Sequence, residues 1–210
     1  MTEASRQPCA LQMLARGVLR PPMRYALWFC AGFVISGCLS TGDPPPKRAA
    51  ETFLDAGLAE PCMTCEGQTT CTSVIQNLSA AHVEIDITSD PPPAGGDHNS
   101  CWATYGIYND PLAGQYWLHN LEHGAVVYLY NCPDGCADDI ATLESFVTSH
   151  PRTLLTAYPY MTTRFAILSW GRRLLSDCLD PSVVEQFYED HVDRAPESIE
   201  SGPPSGCPRP

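Results

Sequence analysis

Eleven cysteines in 210 residues constrain this chain more than any other feature. At about 5% they exceed ordinary cytosolic usage and point to folding in an oxidising compartment. Two of them, Cys9 and Cys30, fall in an N-terminal stretch that reads as a targeting signal. There Arg6, Arg16, Arg20 and Arg24 precede an apolar run at 25–35. That run of about 11 residues is too short for a spanning helix at ~20 and suits a signal h-region.

The run ends in Ile35-Ser36-Gly37-Cys38, which resembles the bacterial lipobox. There a small residue precedes a cysteine that is diacylated and becomes the first residue of the mature chain. Residues 1–37 are therefore expected to be a lipoprotein signal, with Met23 an alternative start, and Cys38 the lipidation site. Leu39 in place of Asp favours the outer membrane of the cell envelope, facing periplasm or surface. The membrane is thus the one partner indicated, and no protein partner is identified. Removing the signal leaves 8 basic and 23 acidic residues, a net charge of −15. That balance, with Lys47 the only lysine, argues against nucleic acid, whose binders carry basic patches.

Eight cysteines remain: Cys62, Cys65, Cys71, Cys101, Cys132, Cys136, Cys178 and Cys207. Their even number suggests up to four disulfides, among about 105 possible connectivities. Cys62-Met63-Thr64-Cys65 could instead offer soft donors to Cu(I), or act as a redox pair. Cys132 and Cys136 would most simply close the turn after the strand at 124–130, or each pair elsewhere.

Along the chain, 38–48 is a Pro-rich linker and 49–79 a Cys-rich segment beginning with a short helix at 49–58. Residues 80–198 are expected to form the main domain, and 199–210 a Pro-rich tail. Alternation of Val83, Ile85 and Ile87 predicts a half-buried strand at 82–88. The loop 90–99 (DPPPAGGDHN) breaks both helix and ladder. Residues 124–130 (GAVVYLY) read as a strand apolar on both faces and central in a sheet. Helices are expected at 134–149 and from Asp180-Pro181 onward, with strands at 154–158 and 164–170. The expected fold class is α+β, a mainly antiparallel sheet with two or three packed helices, stapled by disulfides. Trp102, Tyr105, Tyr108, Tyr116 and Trp117 read as packing residues more readily than as a ligand platform.

Four of the six histidines fall between 82 and 123. His119 and His123, four apart, would face one way on a helical turn. His98 lies in the Gly/Pro loop, where the backbone lets it reach inward, and His82 opens the first expected strand. The set His98, His119 and His123, assisted by His82 or Glu122, suits copper or zinc, with copper favoured. Two other readings stand beside it: a structural or interaction lipoprotein whose histidines hydrogen-bond internally, and a hydrolase using the His/Glu cluster. H-x-x-E-H also matches an inverted zinc-peptidase motif, but Gly124 and the β-branched run after it would end the helix that motif requires.

Residues 82–111 (HVEIDITSDPPPAGGDHNSCWATYGIYNDP), 118–132 (LHNLEHGAVVYLYNC), 157–173 (AYPYMTTRFAILSWGRR) and the late APES at 195–198 resemble a bacterial family known as domain of unknown function 3105. Its pattern joins a Pro-Pro-x-x-Gly-x-His loop, a Gly-x-Tyr segment, the block His-Asn-Leu-Glu-His-Gly and a Trp-Gly strand, here over roughly 80–198. Asp97 stands where the family usually has Pro, and the cysteine set is not part of the pattern. The resemblance implies a shared fold and candidate site, and no reaction.

Overall fold

Strand β5 (Val126–Tyr130) organises the molecule because its side chains are apolar on both faces. Val127 and Leu129 join one core, Val126 and Tyr128 the other. It lies inside a six-stranded sheet ordered β3-β8-β7-β5-β6-β4. The partners are β3 (Ser73–Val74), β4 (Gly106–Ile107), β6 (Thr153–Ala157), β7 (Phe165–Ser169) and β8 (Arg172–Ser176). Three pairings are antiparallel and two, β5 with β6 and β6 with β4, are parallel. A separate antiparallel hairpin joins β1 (Cys62–Cys65) to β2 (Gln68–Cys71). The computed structural model describes residues 59–199 and 207–208. The signal expected at 1–37, the lipidation site expected at Cys38, the expected linker, the helix expected at 49–58 and most of the expected tail lie outside them.

Helix α1 (Gly114–Glu122) covers one face of the sheet with Trp117, Leu118 and Leu121. Helices α2 (Ala137–Ser149) and α3 (Pro181–His191) cover the other, where Leu143, Val184 and Phe187 pack with Met63 of the hairpin. The parallel β5–β6 pair needs a long crossover, and α2 supplies it. Asp180 caps α3 as expected, accepting from the Ser182 N–H at 2.9 Å, with Pro181 in the first turn. The α+β class, the mostly antiparallel sheets and the disulfides are as anticipated.

The eight cysteines pair as Cys62–Cys71, Cys65–Cys178, Cys101–Cys207 and Cys132–Cys136. Cys132–Cys136 closes the turn between β5 and α2. Cys65–Cys178 ties the hairpin to the end of β8, and Cys101–Cys207 holds the tail against the segment before β4. A Cu(I) role for Cys62, Met63 and Cys65 is thereby corrected. Both thiols are oxidised, and the Met63 sulfur is buried against the α3 face, accepting the Asp180 N–H at 3.0 Å.

Residues 82–88 also require correction, since they form no strand. They meet other backbone only through a bridge between His82 and His98, while Val83 and Ile85 are 39% and 40% exposed. The alternation is real, but no described strand pairs with the segment, and all of its residues except Ile87 are exposed and not laid on the core. Ile87 alone among the three packs on the core, against Gly114 at the start of α1.

Candidate metal centre

The loop at 90–99 reaches the α1 face because glycine lets it pass close over Trp170. Gly95 has φ +134°, and a Cβ there would lie 2.5 Å from Leu78 Cδ1 and 3.2 Å from the Trp170 ring. The Gly171 N–H donates to the Ala94 carbonyl at 2.7 Å, and Arg173 Nη1 to the Pro92 carbonyl at 3.0 Å. His98 is thus delivered fully buried beside α1. On α1, Leu118 and Leu121 face the core, which turns His119 and Glu122 towards the loop. Asn120 fixes the helix to the 99–103 segment by accepting from the Ala103 N–H at 2.9 Å and donating to its carbonyl at 2.8 Å.

Three imidazoles converge on one oxygen. The Nε2 atoms of His98, His119 and His82 lie 3.1, 3.7 and 3.8 Å from Glu122 Oε2. The ligand atoms of all four residues fall within 4.8 Å of one another. His98 Nδ1 donates to the Gly96 carbonyl and His119 Nδ1 to the Asn99 carbonyl, both at 2.7 Å. A carbonyl can only accept, so those ring protons are placed, and in the neutral rings each Nε2 presents a lone pair to the carboxylate. His98, His119 and Glu122 are buried, whereas the His82 side chain is 48% exposed and forms the solvent side of the cluster.

Electrostatics separates the rings. Burial pushes the His98 pKa down, but the Glu122 hydrogen bond, the Gly96 carbonyl and the nearby negative charges outweigh it, and the net shift is up. His119 is pushed down to about 4, chiefly by burial and then by His98. Burial acts to raise the Glu122 carboxyl, yet its hydrogen bond and attraction to His98 hold it below the ordinary value. The result is a charged carboxylate facing a reluctant, neutral imidazole and a proton-retaining one.

His123 is not a member of this group. Helix α1 ends at Glu122, and His123 leaves helical geometry at φ −91°, ψ 16°. Its Nδ1 donates to the Glu197 carbonyl at 2.9 Å, and its ring packs edge-on to Trp102 with centroids 4.5 Å apart. It joins Glu122 and Glu197 in a second group whose ligand atoms also lie within 4.8 Å of one another. Glu197 escaped the sequence reading as a site residue, although the APES block containing it was conspicuous. Of the aromatic residues, Trp117 and Tyr108 are core, while Trp102 lines the histidines. The peptidase geometry is absent from this motif, because its helix stops inside it.

A family model described as "Protein of unknown function (DUF3105)" matches residues 82–203, which contain every residue of both groups. No curated protein and no solved structure matches the chain.

Proposed function

Since the chain belongs to the DUF3105 family, whose description assigns no activity, we propose from the site that it binds a divalent transition metal, Cu(II) before Zn(II), for handling or delivery. The observation that carries this is the convergence of three Nε2 atoms on Glu122 Oε2 at 3.1–3.8 Å. A tetrahedral ion with bonds of ~2.0–2.1 Å separates neighbouring donors by roughly 3.3 Å. Each nitrogen therefore already stands from the carboxylate oxygen near the spacing an ion imposes, and all four donors lie within 4.8 Å of one another. Lone pairs facing a carboxylate repel unless a cation lies between them, and a metal satisfies all four. The Nδ1–carbonyl bonds are those that orient metal-bound histidines elsewhere. Three imidazoles and a carboxylate, without sulfur, suit Cu(II) or Zn(II) over Cu(I). Half-exposed His82 is the ligand through which an ion would enter or be passed on.

Proton occupancy favours a second, structural reading. The 3.1 Å contact of His98 with Glu122 can be a closed ion pair within a metal-free brace. A hydrolase finds less support, as among the described residues no hydroxyl or thiol is hydrogen-bonded to the clustered imidazoles. We place the site on an exported protein held to the cell envelope by lipid at Cys38, an assignment that rests on the signal sequence alone.

Metal titration of untagged protein separates the readings. Micromolar uptake of copper or zinc, weakened at least about 100-fold in His119→Ala, is expected for a metal site. Absence of uptake, unchanged in the variant, would leave the structural brace.

A further inference from the structure

Glu122 belongs to both four-residue and three-residue groups at once. One of its oxygens receives His82, His98 and His119, and the carboxylate also lies among His123 and Glu197. We infer that Glu122 bridges two metal positions, the second a divalent cation held by His123 and Glu197. The inference rests on the proposed first site and extends it to a dinuclear centre.

An independent observation points to the second position. His123 is 3% exposed, and its Nε2 is buried with no hydrogen-bond partner. Its Nδ1 is already committed to the Glu197 carbonyl, so, as in His98 and His119, a backbone carbonyl holds one ring nitrogen and leaves Nε2 for another partner. A buried nitrogen without a partner is destabilising, and a ligand at that atom would relieve the penalty. The Trp102 indole packs against the ring without bonding to it.

The segment bearing Glu197 is fastened in place. The Glu197 N–H donates to the Glu122 carbonyl at 3.1 Å and the Asp193 N–H to the Gly124 carbonyl at 2.9 Å. Arg152 pairs with Asp193 and donates to Ser198 Oγ at 2.8 Å, so both flanks are held. The Glu197 side chain itself is exposed, which leaves the second position open to solvent. One imidazole and two carboxylates are borderline-to-hard donors that suit Zn(II) or Cu(II) with water completing the shell. Two ions sharing a carboxylate stand about 3.5–4 Å apart. Their repulsion is offset by the charges of Glu122 and Glu197. The open position should fill after the buried one.

The test is stoichiometry on the full untagged chain, by equilibrium dialysis against Zn(II) and by titration with Cu(II) followed by electron paramagnetic resonance. Two equivalents are expected in wild type, with the copper signal per ion falling as the second enters, because coupled ions lose intensity. Glu197→Gln and His123→Ala should each saturate at one. Because the Glu197 side chain is exposed, Glu197→Gln keeps the test meaningful if His123→Ala fails to fold. Wild type saturating at one equivalent, with both folded variants unchanged, overturns the bridge and leaves the first site standing. Zero equivalents in wild type overturns the first site as well.

Discussion

His98 and His119 face the same carboxylate oxygen yet hold protons differently, and that difference predicts the pH behaviour. In the metal-free protein His119 is depressed to about 4, so the folded state binds fewer protons there than the unfolded chain. Its contribution is present above the unfolded value of ~6.5 and is lost as pH falls towards 4, by on the order of 3 kcal/mol. Glu122, also depressed, adds loss at the lower end of that range. His98 is raised, so its contribution has the opposite sign: full below the unfolded value and lost as pH rises through the folded one. Urea melts of metal-free protein between pH 7 and 4 should show the acid loss, and His119→Gln should flatten it. A wild-type profile already flat over that span contradicts the neutral buried ring. Metal affinity runs the other way from His98 stability. The ion must displace the retained proton, so binding should strengthen from pH 6 to 8, with proton release measurable by calorimetry in two buffers of different ionisation enthalpy.

At the scale of elements, the disulfides divide sharply by the loop each closes. Cys65–Cys178 and Cys101–Cys207 span 113 and 106 residues, whereas Cys132–Cys136 spans 4. On chain entropy, a long loop contributes about 5 kcal/mol and the short one about 2 kcal/mol. Paired Cys→Ser replacement at 65 and 178 should therefore lower Tm far more than the same change at 132 and 136; equal losses would refute that ranking. Gly124 follows the end of α1 at the site, with φ +84° and Asp193 Cα 3.0 Å from where a Cβ would stand. Gly124→Ala should cost about 1–3 kcal/mol and speed amide exchange at Asp193 and Glu197. Some of this order was legible in the residues. A strand apolar on both faces can only be central, and Asp180-Pro181 announces a helix start. The strand expected at 82–88 was not legible as a failure, because alternation says which side chains would share a face and not whether another strand will pair with the segment. Strand β8 was hidden by Arg172 and Arg173, whose charges are met by Glu60 and the Pro92 carbonyl, partners distant in sequence. The density of histidines pointed to the group of His82, His98, His119 and Glu122, whereas the i, i+4 rule put His123 in that same group because it presumes a helix that continues. Only the Cys132–Cys136 pairing was legible from local spacing; Cys65–Cys178 and Cys101–Cys207 join residues over 100 apart, which no local pattern connects.

For the whole molecule, the sheet separates two tasks. Its α1 face carries the histidines, and its other face carries α2, α3 and the hairpin that the N-terminal side of the chain enters. Anchoring and metal binding should accordingly be separable. Twenty residues lie between the proposed lipid cysteine, Cys38, and the first described residue, 59. Without the expected signal the chain carries a net charge of −15, which disfavours contact with anionic lipid. In bacterial cells fed labelled palmitate, the wild-type chain should incorporate label and partition into detergent, while Cys38→Ser should do neither. The Cys38→Ser protein, recovered from the aqueous phase, should bind metal with unchanged stoichiometry, because every donor lies between His82 and Glu197. Label retained in Cys38→Ser would place the acyl chain on another residue, and unlabelled wild type would remove the anchor altogether. Loss of metal binding on Cys38→Ser would show that tether and site are coupled, against the division of the two faces.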